Sequence, residues 1–193
     1  MTDIDSIATR AELVAAWEAG ARPDFILFWG HTGAADKVGP FVLSQWRPAP
    51  FEVDGNRYTS AEHYMMAEKA RLMGDQATCA EIIACHDPGK AKALGRRITP
   101  WDEERWRAHR FDIVVAGSVA KFGQDRRLRD YLTATAGKVL AEASPQDRIW
   151  GIGLARDEDA ARDPSEWRGQ NLLGFALMKA RQLLLADGPD GNL

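Results

Sequence analysis

The chain has 193 residues, enough for one domain with a sizeable core. Hydrophobic residues make up 45% and charged residues 27%, an ordinary soluble composition. A net charge of −3 excludes a global field that would draw the protein to DNA, RNA or an anionic membrane, so any nucleic-acid contact has to be local. There is no N-terminal apolar stretch and no run long enough to span a bilayer, which predicts a cytoplasmic protein without membrane association. Cys79 and Cys85 fall in one helical region without CxxC or zinc spacing and read as free thiols. Seven tryptophans stand out, since Trp serves both as core filler and as a stacking surface for flat ligands.

In chain order, Thr9 and Glu12 have capping-box spacing and Gly20 supplies a stop, predicting a first helix between them. "FILFW" (25–29) reads as a short buried strand, followed by a glycine-rich loop to Pro40. "FEV" and "NRY" flank Asp54-Gly55, a two-residue hairpin signal. Helices are predicted over about 60–73, ending at Gly74, and over roughly 76–85. Thr99-Pro100 reads as the N-cap and first residue of a long helix running through "WDEERWRAHRFDIVVAGSVAKF", and a shorter helix covers 126–134. "KVLAEAS" (138–144) and "RIWGIGL" (148–154) read as strands, and a loop of about eighteen residues leads to an amphipathic helix over 172–186. The expected fold is α+β: a single, mainly helical domain with a small sheet at 24–187, an N-terminal helical extension at 1–23 and a frayed tail at 188–193.

"YTSAEHYMMAEKA" (58–70) places Glu62 and Lys69 two helical turns apart on one side of a helix. One reading is structural: Thr59 and Glu62 form a capping box, and Lys69 is a solvated lysine favoured by the dipole. The other is chemical. Tyr64, Met65 and Ala61 border the pair, and partial burial raises a carboxyl pKa and lowers an amine's, which suits acid–base or imine chemistry. Pattern alone leaves both readings open. His63 lies on another face and reads as a structural histidine. The basic clusters "GRR" (95–97) and "DRRLR" (125–129) read as solvated faces, with phosphate binding as their functional alternative.

The ordered set "PFEVDGNRYTSAEHYMMAEKA", "KF" (121–122), "DRIWGIGL" and "WRGQNLLGFALMKAR" resembles the NADAR family over nearly the whole chain, from about Phe25 to Leu184. The resemblance implies an α+β fold and N-glycosidase activity, with no cofactor and no metal. In the family, some members cleave phosphorylated ribosylaminopyrimidine intermediates of riboflavin synthesis. Others remove ADP-ribose from guanine bases, and the family name records an association with NAD and ADP-ribose. Carried over to this chain, the resemblance makes Glu62 and Lys69 the catalytic pair and Trp106 and Trp150 substrate-binding rings. Gly151, Ser44, Trp46 and Asn171 join them as expected substrate contacts, Asn171 with helix capping as its alternative. Two departures matter. Riboflavin-type members read "WGDG" where this chain has Ile152 in "WGIG", and "LSQW" (43–46) stands where a Ser-Asn-aromatic run is more frequent.

Both substrate types join the ribose anomeric carbon to an exocyclic aryl amine. Such a glycosylamine opens to an imine, which a neutral lysine displaces by transimination while a glutamate shuttles protons. An oxocarbenium-like departure with Glu62 as stabiliser or base is the second route. The missing aspartate moves the expected substrate from the pyrimidine phosphate towards ADP-ribosylated guanine or a similar nucleotide-like molecule. A pocket that binds ADP-ribose or a dinucleotide without turnover is the competing class. Oligomeric state leaves no mark on the sequence.

Overall fold

The computed structural model describes residues 3–34 and 37–188. Its helices are α1 (Arg10–Glu18), α2 (Ala61–Met73), α3 (Gln76–Ile83), α4 (Pro88–Gly95), α5 (Glu103–Gly123), α6 (Arg126–Thr133) and α7 (Leu172–Ala186). Its strands are β1 (Phe25–Phe28), β2 (Phe51–Val53), β3 (Asn56–Tyr58) and β4 (Val139–Glu142). The domain is thus α+β and mainly helical. Among the described residues no helix is long and apolar enough to cross a membrane.

Local chemistry explains several elements directly. Thr9 accepts from the backbone of Glu12, whose side chain returns to Thr9, closing the predicted capping box on α1. Asp54 and Gly55 both take positive φ (49° and 73°), the backbone a two-residue hairpin needs between β2 and β3. Gly74 ends α2 in the left-handed region at φ 78°.

Elsewhere the structure corrects the sequence reading. The N-cap of α2 is Ser60, not Thr59, so Glu62 is not the partner of a capping box. Thr59 donates its backbone N–H to His63 Nδ1 (3.2 Å) instead, so Nε2 carries the proton donated to Ile82 O (2.7 Å). His63 is a buried structural histidine, held neutral by burial. The long helix α5 starts at Glu103 behind an Asp102 cap. Thr99-Pro100, a cis peptide, lies before it, and Thr99 donates its N–H to Asp75. The segment 148–154 is not a strand. Asp147 Oδ1 captures the N–H groups of Ile149 and Trp150 (both 2.8 Å), and Ile152 O accepts from Arg168 and Gly169 (both 2.9 Å), leaving no ladder for a strand to join. Helix α4, unforeseen in the sequence, begins at Pro88 behind the Asp87 cap. Of the expected tail, residues 189–193 lie outside the described residues.

The core runs through two packed groups. α7 covers β4 and packs on α5, and α5 in turn packs on α2, which is flanked by α3 and α4. Two glycines permit the closest approaches: a Cβ at Gly117 would strike the Tyr64 ring, and one at Gly95 would strike Met66. β1 and β4 pair in parallel, Phe25 opposite Val139 and Phe28 opposite Glu142, so both strands end at the same edge. Ligands gather beyond the carboxyl ends of parallel strands, and here the chain opens a cavity there.

Candidate active site

A cavity of about 590 Å³ lies between α2, α4, the N-terminal part of α5 and the ends of β1 and β4. This falls within the usual range for small-molecule sites. α2 contributes Glu62, Met65, Met66 and Lys69; the residues after β1 contribute Trp29, Gly30 and His31; β4 and the loop after it contribute Glu142, Ser144, Asp147 and Trp150.

Glu62 is 3% exposed, and its Oε1 has no hydrogen-bond partner. An unpaired buried polar atom costs roughly 1–3 kcal/mol, so the fold retains a group here that its own packing does not satisfy. Burial pushes the carboxyl up to about 7, with Lys92 and then Lys69 pulling it down and Asp147 raising it. Among the described residues neither Glu62 nor Glu142 is held in an ion pair.

Lys69 donates to Gly95 O (2.9 Å), an acceptor within reach because Gly95 lets α4 close on α2. Its ammonium stands 4.5 Å from the centre of the Trp101 ring and 5.6 Å from that of Trp106. Burial lowers the amine below its ordinary value, while Glu62 and Glu103 oppose the shift. The lysine is therefore not the solvated cation of a simple helix terminus.

Of the substrate contacts expected from sequence, the structure brings Trp106, Trp150, Ser44 and Trp46 to the same cavity as Glu62 and Lys69. Ser44 sits in a loop fastened from two sides. Gln45 O accepts from Glu62 N (2.9 Å), and buried Lys121 donates to Val42 O (2.7 Å) and Ser44 O (2.9 Å). Burial brings Lys121 down to about 7, and its role is to hold this loop. Trp46 stacks against His31 at 6.2 Å between ring centres, and Lys92 Nζ lies 5.2 Å from the centre of the Trp46 ring.

Gly151 and Asn171 are not among the cavity's lining residues. A Cβ on Gly151 would meet Glu142 O and Asp147 O, so this glycine is needed for backbone packing behind the wall. Asn171 is fully buried and makes no side-chain cap on α7. It accepts from Glu142 N (3.0 Å) and donates to Leu140 O (2.9 Å), splinting the end of β4. Ile152, in the position of the riboflavin-type aspartate, is sealed in the core at 0% exposure. The clusters around Arg96 and Arg126 lie outside the cavity. There Arg97 pairs with Glu81, and Arg129 donates to Leu184 O (2.8 Å).

Sequence reasoning missed Glu142, Asp147, Lys92, Trp29 and His31, all of which line the cavity. Glu142 left a signal, as the one charge in the apolar run "VLAEA". Its Oε2 is buried without a partner, and burial, then Asp147 and Glu62, push the carboxyl up to about 8 against the pull of Lys92. Among the described residues no group of His, Cys, Asp and Glu is arranged to hold a metal ion. A larger groove of about 840 Å³ lies elsewhere, lined by Phe111, Val115 and Val119 of α5 and Leu183 of α7. It lacks the unpaired carboxyls that mark the smaller cavity, which is therefore the candidate site.

The chain is 41% identical over 157 residues to N-glycosidase R617 of Acanthamoeba polyphaga mimivirus, covering 79% of this chain and 92% of the relative. It is 31% identical over 150 residues to N-glycosidase YbiA of Shigella flexneri, covering 78% and 84% of the two chains. The NMR structure of the Escherichia coli protein YbiA superposes with a TM-score of 0.70 at 26% identity, over 90% of this chain and 92% of that one. A NADAR domain model matches residues 27–185, and the chain belongs to the NADAR domain family.

Proposed function

We propose that this protein is an N-glycosidase that hydrolyses the bond between ribose C1 and an exocyclic amine, removing ADP-ribose from guanine bases in nucleic acid. The observation that carries the reading is the shared cavity of Glu62, buried with an unpaired oxygen, and Lys69, desolvated against two indole rings. The names of the N-glycosidase relatives support the reaction class.

The two residues divide the work. Two helical turns separate their backbones by about 10.5 Å, leaving room for a ribose between the side-chain tips. In its neutral form Lys69 adds to C1 of the ring-opened imine. Glu62 takes the proton that the lysine nitrogen sheds and passes it to the aryl amine, which departs as the C1–N bond breaks. Water then adds to the lysine iminium with Glu62 as base, and the sugar leaves as an aldehyde that recloses. Trp106, Trp150 and Trp46 offer flat faces to the base or the sugar. Exposed Trp29, at 62% accessibility, extends that surface to the rim, where a flanking base of a nucleic acid would meet it. Lys92 also lines the cavity, placed to meet a phosphate.

The substrate preference rests on Ile152. With this side chain in the core, position 152 offers no carboxylate to the polar groups of a small pyrimidine. The test is incubation with ADP-ribosylated guanine DNA and, separately, with the phosphorylated ribosylaminopyrimidine, reading base release by mass spectrometry. Release from the DNA is expected. Release only from the pyrimidine reverses the preference, and tight ADP-ribose binding without either release makes the protein a reader. Borohydride added during turnover should leave a sugar adduct on the Lys69 peptide, absent in Lys69→Arg because a guanidinium stays charged.

A further inference from the structure

We infer that Glu142 is a second catalytic carboxyl, which gives its proton to the ribose ring oxygen as the sugar opens. This inference rests on the N-glycosidase reading above and adds the acid that its first step requires. When the ring opens, the aryl amine's lone pair forms the C1=N bond and the C1–O bond breaks. The departing oxygen takes the proton of the Glu142 carboxyl, leaving a carboxylate. With Glu62 already ionised as the base for Lys69, a second carboxyl that is still protonated lets the ring open without first reloading Glu62. When the aldehyde recloses in the site, the attacking hydroxyl returns its proton to Glu142 and Glu62 gives the proton taken from water to the carbonyl oxygen.

The geometry favours this assignment at each level. Glu142 is the last residue of β4, where the parallel pair ends at the cavity. Its backbone is fixed on both sides: its N–H goes to Asn171 Oδ1 (3.0 Å), and its carbonyl accepts from Ser144 and Ile152 (both 2.9 Å). The side chain is therefore delivered from a rigid base, while Oε2 remains buried and without a partner. The charged groups that act on it are Asp147 from the following loop, Glu62 from α2 and Lys92 from α4; Lys69 and His31 line the same cavity. Two of the three disfavour its charge, and burial adds to them, so the carboxyl stays protonated up to about pH 8. Glu62 has both Lys92 and Lys69 favouring its charge, where Glu142 has Lys92 alone, so the lysines favour ionisation at Glu62. Two carboxyls whose surroundings separate their titrations give one acid and one base.

The experiment compares two routes to the Lys69 adduct under borohydride. In the first, the sugar arrives as the N-glycoside and the enzyme must open the ring. In the second it arrives as free ADP-ribose, which opens unaided in water. Glu142→Gln should lower turnover of the glycoside at least a hundredfold and abolish trapping from it, while trapping from free ADP-ribose stays within threefold of wild type. A parallel loss in both routes makes Glu142 a packing residue and overturns the proposal. So does turnover within threefold of wild type, or wild-type turnover with no adduct by either route. Wild-type protein that releases no base from any N-glycoside overturns the underlying reading as well, a result distinct from the others. On wild-type protein alone, glycoside turnover should fall as pH rises past about 8, with no such fall in trapping from free ADP-ribose. A flat profile there counts against Glu142 whatever the stability of the variant.

Discussion

Two ends of the molecule bury charge in opposite ways. Behind α7, Arg181 is 0% exposed and is nearly saturated: it donates to Thr135 O (2.6 Å), Thr135 Oγ1 (2.8 Å) and Lys138 O (3.0 Å), and pairs with Asp5 Oδ1 (2.5 Å). Only its Nε lacks a partner. At the cavity, buried Glu62 and half-buried Glu142 each keep one buried oxygen without a partner among the described residues, and neither is in an ion pair there. The first arrangement fastens the N-terminal segment to α7, and Arg10 ties the start of α1 to the loop before α7 by donating to Pro164 O and Ser165 O. The second leaves carboxyl oxygens unsatisfied beside a cavity. Burial alone therefore does not mark a functional charge; a buried carboxyl that lines a cavity and has no ion pair does.

That contrast can be broken by four substitutions. The largest effect is expected from Glu62→Gln, which should lower turnover by roughly two to four powers of ten with no loss of thermal stability. Unchanged initial rates would remove Glu62 from the chemistry. Arg181→Ala should do the reverse, costing about 3–5 kcal/mol in denaturant titration while kcat of the folded fraction stays put. A fall in kcat at constant folded fraction would show that the two ends communicate.

Glu142→Gln should stabilise the protein by up to about 4 kcal/mol near pH 8, as followed by Tm against pH. The sign follows from a carboxyl raised in the folded state from an ordinary 4.5 to about 8. Its favourable contribution is complete below the unfolded value and is lost as pH rises through the folded one, so the advantage of Gln should shrink towards pH 5. A gain that does not vary with pH would assign the effect to packing instead. The smallest change belongs to Thr9→Ala, which removes the cap of α1 for about 1 kcal/mol and leaves catalysis untouched.

What the sequence displayed was whatever a few neighbouring residues decide. The Thr9–Glu12 box, the Asp54-Gly55 turn, the Gly74 stop and the apolar face of α7 each announce themselves within a turn or two of chain. Glu62 and Lys69 were visible for the same reason, since one helix carries both. The α2 cap slipped by one residue because Ser60 competes with Thr59, and only the fold shows that His63 claims Thr59. The 148–154 segment has a strand's composition, yet its bonds go to Asp147, Glu142 and residues 168–169, partners that tertiary structure alone supplies. Glu142 and Lys92 were hidden because membership of the cavity depends on two strand ends and a helix that was not foreseen. Asn171 was visible as a polar residue before a helix, but its task of splinting β4 is a contact across 29 positions.

The parallel pairing of Phe25–Phe28 with Val139–Glu142 also sets an order of assembly. α2, α3 and α4 follow one another closely in the chain, so the Glu62–Lys69 segment can organise from short-range contacts while the polypeptide is still being made. The strand that carries Glu142 must instead find a partner more than a hundred residues upstream, and loop closures of that length are slow steps in folding. A growing chain would thus hold Lys69 in place well before Glu142 arrives. Competence would come late and all at once, when β4 docks, because that single event closes the cavity wall and delivers Glu142, Asp147 and Trp150 together.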